Sequence, residues 1–204
     1  MFSFSSALVA LTYSEPLTKD EAKDNLHVVH DADDARIRAL IIAAREYVEV
    51  WTGRSLVTQT ITLKLDYFPG YEDDYTIRLP RGPVSALTSV AYYDTLNVSQ
   101  TLSSSLYETA LTSEPARIRP ITTTTWPLTY DRLEAITVTY AAGYATPAAV
   151  PERIKQAMYL LVNHWYLNRE PVAAGTISTD IEFTLQALLG ASWTGSMAGT
   201  FAQV

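Results

Sequence analysis

The stretch from Asp31 to Gly53 limits most sharply what this chain can fold into. Ile37, Leu40, Ile41, Ala44, Val48 and Trp51 recur at steps of three and four, which places them on one face of an α-helix. Asp31, Asp33 and Asp34 crowd the front, where carboxylates offset the positive end of the helix dipole. Gly53 follows the last apolar position, as a left-handed stop requires. About twenty residues of amphipathic helix result, with charges of alternating sign assigned to the outer face. The stretch holds no catalytic motif.

The rest of the chain narrows the class. At 204 residues it is long enough for one sizeable core, or for a core with a smaller satellite. A formal charge of −7 argues against a general nucleic-acid binder, whose affinity comes from Lys and Arg neutralising phosphates. The absence of cysteine excludes disulfides, thiolate catalysis and Cys-based metal sites. The first thirteen residues lack a basic leader, and no segment approaches 18 uninterrupted apolar residues, so the chain is expected to be cytoplasmic when made, with no membrane partner.

In chain order, residues 1–14 read as a short Ser-rich arm with Phe2 and Phe4 able to dock on a partner. Thr18 and Glu21 form a capping-box pair that opens a short helix. After Gly53 the period changes. Val57 to Asp66 alternates as a half-buried strand, and further strands are predicted at 75–79, 84–94, 100–102, 106–111, 116–119 and 135–140. Helical spacing returns at Pro151, where Ile154, Ala157, Met158, Leu161, Trp165 and Asn168 trace one face, and a last short helix is predicted at 184–189. The fold class expected is α+β: a small helical bundle of two long helices plus shorter ones, with a β-rich insertion between the long helices. The domains would be an arm at 1–14, a helical core at 15–54 and 143–189, a β-rich insertion at 55–142 and a tail at 190–204.

Few residues point to chemistry. His27 and His30 beside Asp31, Asp33 and Asp34 are ligand types for a divalent metal, but the spacing matches no calcium loop and helix capping already accounts for the aspartates. His164 lies between aromatic neighbours on an apolar helix and reads as a core or interface histidine rather than a base. There is no nucleophile motif and no Gly-rich phosphate loop. No catalytic residue, metal or cofactor is therefore expected. Tyr71, Tyr75, Tyr92, Tyr93 and Trp126 fall in the β-rich block, where aromatic residues serve as core, as a protein interface or as a sugar-binding platform.

Several phrases taken together resemble the head–tail connector, or adaptor, proteins of long-tailed phages and gene transfer agents. They are PLTKDEAK at 16–23, ARIRALIIAAREYVE at 35–49, WTGRSLVTQT at 51–60, IRLPRGPV at 77–84, SEPARIRP at 113–120, ITVTYAAGY at 136–144 and VPERIKQAMYLLVNHWYLNRE at 150–170. Their order and spacing carry the resemblance, which spans about residues 16–189. It implies a structural virion protein without enzymatic activity. Copies would close into a ring, commonly twelvefold, beneath the portal protein at the head–tail interface, extend the channel for double-stranded DNA and offer a platform to a stopper or tail-completion protein. On that reading Arg36, Arg38, Arg45, Glu46 and Glu49 are candidates for the subunit contact, and Trp193, Met197 and Phe201 in the tail for portal docking. The acidic balance would let DNA slide without adhering. The alternative is a β-platform module binding carbohydrate or protein, with the helices as scaffold.

Overall fold

The computed structural model describes residues 2–8, 14–70, 74–168 and 179–190, with 2–8 and 179–181 described through their backbone. Two compact units emerge. One contains Phe2–Leu8 and residues 58–143; the other contains residues 14–57 and the described residues from 144 onward.

The second unit holds four helices: α1 Lys19–Leu26, α2 Asp34–Thr52, α3 Glu152–Leu167 and α4 Thr179–Leu189. The capping box forms as its spacing dictates: the Thr18 hydroxyl accepts from the Glu21 N–H, while Glu21 accepts from the Thr18 N–H at 2.8 Å. Helix α1 stops on a left-handed His27 and α2 on a left-handed Gly53, whose φ of 65° suits a residue without Cβ. Ile37, Ile41, Ala44 and Val48 of α2 pack against Ile154, Ala157, Met158 and Leu161 of α3. Leu185 and Leu189 of α4 and Leu17 complete that core.

The first unit is built from β1 Phe2–Leu8, β2 Gln59–Leu65, β3 Ile77–Leu79, β4 Val84–Tyr93, β5 Ser99–Thr101, β6 Tyr107–Ala110, β7 Ala116–Pro120 and β8 Ile136–Ala142. All pairings are antiparallel, in a five-stranded sheet ordered β1-β2-β8-β4-β5 and a three-stranded sheet ordered β3-β7-β6. Alternation puts Ile61 and Leu63 of β2 and Ile136, Val138 and Tyr140 of β8 on the same buried side. Ile77, Leu79, Ala116 and Ile118 from the small sheet join them in one apolar core. The buried Tyr140 hydroxyl donates to the Pro80 carbonyl at 2.6 Å, which satisfies the one polar atom this large side chain brings into the core. Burial raises its pKa.

The expected small helical bundle with two long helices and a β-rich insertion is thereby corrected, although the α+β class holds. Eight strands among the described residues make two antiparallel sheets that close a core of their own. The β residues are half of the molecule's architecture, not an appendage to a bundle. Phe2–Leu8 contributes to this as a strand, pairing with β2 from Phe2↔Leu65 to Leu8↔Gln59. Its Ser/Phe alternation was the period-two signal, and seven residues without a turn or a neighbour in sequence give too little pattern to separate a strand from an arm.

Candidate functional site

The charged residues of α2 were expected on an outer face, and the structure divides them. Arg45 is only 2 % exposed. Its Nε donates to Glu15 Oε2 at 3.0 Å and its Nη1 to Glu49 Oε2 at 2.9 Å, with Glu46 at 3.4 Å from Nη2. Glu49 is also buried, and its other oxygen accepts the Leu56 N–H at 2.7 Å. This network ties the entry to α1 and the turn after α2 to the middle of α2. Burial works against the Arg45 charge, but Glu49, Glu15 and Glu46 together raise its pKa. Burial raises Glu15, with Arg45 pulling the other way. Arg45 lies four residues after Ile41 and four before Glu49, on the edge of the apolar stripe; that spacing was the available sign of burial.

Arg36 turns toward α3. It donates to the Trp165 carbonyl at 3.2 Å and sits 5.3 Å from the Tyr166 ring centroid, so a cation meets the negative end of that helix. The Tyr166 hydroxyl donates to Asp33 at 2.6 Å. Of the five α2 candidates, Arg38 and Glu46 keep exposed side chains. Trp193, Met197, Phe201 and Tyr71 lie outside the described residues. Asp31 and Asp34 are engaged by lysine ammoniums, Lys23 reaching Asp31 at 2.6 Å and Lys19 reaching Asp34 at 2.7 Å. Hydrogen bonds from Lys19 and from Lys23, the latter at 2.9 Å, hold the Asp34 carboxyl at about 2. A cluster already neutralised by two ammoniums is a poor cation site. His164 bonds Asn168 in the last turn of α3, Nδ1 to Nδ2 3.1 Å.

Among the described residues the aromatic set forms no open platform. Trp126 is buried, stacked on Phe68 at 4.7 Å with an interplanar angle of 7°, and donates its indole N–H to the Tyr75 carbonyl at 2.7 Å. Tyr92 packs edge-on to Phe68. Tyr93 lies beneath Arg132, whose guanidinium is 4.1 Å from the ring centroid.

What the sequence reading missed is a rim of apolar side chains at one end of the large sheet. Leu65 pairs with Ile136 and Ile136 with Tyr92, so the segments beyond these residues all leave the sheet at the same end. There Tyr67, Leu96, Val98, Leu128, Tyr130 and Leu133 are exposed, Leu96 and Leu128 each to 81 % and Leu133 to 77 %. The rim is held in shape by polar bonds. Asp94 Oδ1 accepts the N–H groups of Leu96 and Val98, both at 3.0 Å, and these bonds, with one from Gln100, lower its pKa. Arg132 donates to Asn97 at 3.2 Å, the Tyr130 N–H reaches the Tyr93 carbonyl at 3.0 Å, and the Glu134 N–H reaches Asp66 at 2.8 Å. Exposed apolar side chains on segments that leave one sheet end make that end a candidate surface for another protein. Leu96, Leu128 and Leu133 fall in loops, where periodicity assigns no face.

A family model described as head completion protein matches residues 16–183, and the chain belongs to that family. This bears out the resemblance to head–tail connectors. No curated protein sequence matches the chain. Among solved structures it is similar to a chain in the neck of an empty gene transfer agent (GTA) particle computed with sixfold symmetry, at 22 % identity, TM-score 0.73 and 98 % coverage of each chain. It is also similar to a chain in the virion of a native GTA particle, at 21 % identity and TM-score 0.71. A third is in the neck of a native GTA particle computed with twelvefold symmetry, at 20 % and 0.69; each of these two matches also covers 98 % of both chains.

Proposed function

We propose that this protein is a structural adaptor of the head–tail interface. Copies of the chain close into a ring of twelve beneath the portal, extend the channel through which double-stranded DNA passes, and present the apolar rim of the β unit to a stopper or tail-completion protein. Assembly takes place in the host cytoplasm, and the protein then resides in the virion neck. It works by contacts, without enzymatic chemistry or a cofactor. The observation that carries this reading is the preorganised rim of Tyr67, Leu96, Val98, Leu128, Tyr130 and Leu133 in a chain of the head completion family. Arg38 and Glu46 remain candidates for the polar part of the subunit contact, and Trp193, Met197 and Phe201 for portal docking. With −7 per copy, the ring would repel duplex DNA and keep it from adhering. A carbohydrate platform has less behind it, because Trp126 and Phe68 are stacked on each other and not open to a sugar.

The test is to co-express the chain with the portal protein of the same particle and reconstruct the complex by electron microscopy. The expected result is a closed ring coaxial with the portal. A strict monomer that never joins the portal overturns the reading.

A further inference from the structure

The two edges of the five-stranded sheet are finished differently. On one side stands β1, paired to β2 without a register shift from Phe2 to Leu8. Natural proteins blunt such edges with charged residues, proline, bulges or short strands. Phe2–Leu8 holds no charged residue and no proline, and it is seven residues long. Its outward row of backbone N–H and C=O groups meets no strand among the described residues. On the other side β5 covers β4 only from Ala91 to Tyr93, with the Leu102 N–H reaching the Val90 carbonyl at 2.8 Å. The first part of β4, from Val84 to Ser89, has β8 on one side and, among the described residues, no strand on the other. Ser85, Ala86 and Thr88 are exposed there, and this stretch is also without charge or proline. Two register shifts against β8 add twist to it, which narrows the strands that fit.

We propose that these two edges meet between copies of this chain: β1 of one copy adds to the Val84–Ser89 stretch of β4 in the next and continues its sheet. The inference rests on the ring reading above and names the backbone contact through which the ring closes. Strand polarity supports it. The order β1-β2-β8-β4 is antiparallel at each step, so β4 runs opposite to β1. A neighbour related by rotation about a ring axis then presents its β1 antiparallel to β4, the direction every other pair in the sheet takes. Because β5 fills the place beside Ala91–Tyr93, the incoming β1 sits shifted toward Val84. Closing a ring of tilted strands requires such a shift. Both edges belong to one sheet of the β unit, so the contact is complete within that unit. It joins two different surfaces, as head-to-tail closure requires. Backbone hydrogen bonds supply the affinity, and two uncharged stretches let copies that each carry −7 approach without local repulsion.

The chain has no cysteine, so introduced thiols are the only ones present. The test uses the full chain as S5C/T88C, with S5C and T88C as controls and circular dichroism to check the fold. Each variant is assembled with the portal, imaged by electron microscopy, treated with a short bismaleimide and run on a denaturing gel. Within one chain the two positions lie three strand spacings apart, roughly 14 Å, and a link between them joins no second chain. The expected result is a ladder of covalent multimers from S5C/T88C, with both single variants left as monomers. Closed rings of S5C/T88C that yield no multimers overturn the proposal and leave the ring reading standing. Linked dimers from S5C alone overturn it in favour of a two-fold pairing of β1 with β1. Failure of every variant and of wild type to form either a ring or multimers with the portal overturns both.

Discussion

The helical unit and the β unit place their polar and apolar groups in opposite ways. In the helical unit, Arg45, Glu49 and Lys23 are buried and paired, and Arg36 closes the end of α3. Its exposed large apolar residues, Val29, Ile42, Val50, Leu167 and Phe183, are spread over several elements. In the β unit the buried polar groups are few, while six exposed apolar side chains lie on segments that leave one sheet end. Charges inside a fold contribute to it only when paired and hydrogen-bonded, so the helical unit is committed to its own geometry. The rim side chains of the β unit are exposed and stand outside its buried core, which leaves them available to partners.

The comparison breaks first at Arg45. Arg45→Met leaves Glu15, Glu46 and Glu49 crowded without their cation, and the expected loss of stability is about 3–5 kcal/mol in urea denaturation. Hydrogen exchange should show lost protection in α2 and α3 with protection kept in β2 and β8. Equal loss in β8 would mean that the two units are not separate cooperative bodies.

Acid sharpens the picture next. Asp34 is held at about 2 against an ordinary 3.8, so its contribution is complete above 3.8 and is lost as pH falls through about 2. Glu15 has the opposite sign. Its raised pKa means that folding favours its proton, and the destabilisation from its charge is relieved as pH falls through that raised value toward 4.5. Thermal melts from about pH 5 down to about pH 2 should therefore show the late acid loss in wild type and not in Asp34→Asn. A variant that tracks wild type throughout would take Asp34 out of the account.

Much of this was legible in the residues, and the failures share a cause. Helix α2, the capping box at Thr18, the Gly53 stop and the strands from 59 to 142 follow from local patterns, so they fall within a few residues of where periodicity puts them. Arg45 was assigned to the wrong side of α2 because a charged side chain reads as exposed unless its partners are known. Glu15 is thirty positions away in sequence. The rim escaped for the complementary reason. Leu96 comes from the β4–β5 turn and Leu128 and Leu133 from the β7–β8 loop, which only strand register brings to one sheet end. The bundle expectation failed because local patterns count elements but do not say that eight strands close a core of their own.

The central claim is that the apolar rim serves a partner and not the fold. Replacing Leu96 and Leu133 together by Asp puts two charges on that rim in side chains already exposed, so stability should change by no more than about 0.5 kcal/mol per site. Particles assembled with the double variant as their sole adaptor should nevertheless accumulate as heads without tails when counted by electron microscopy. A normal proportion of tailed particles, from a variant as stable as wild type, would contradict the claim.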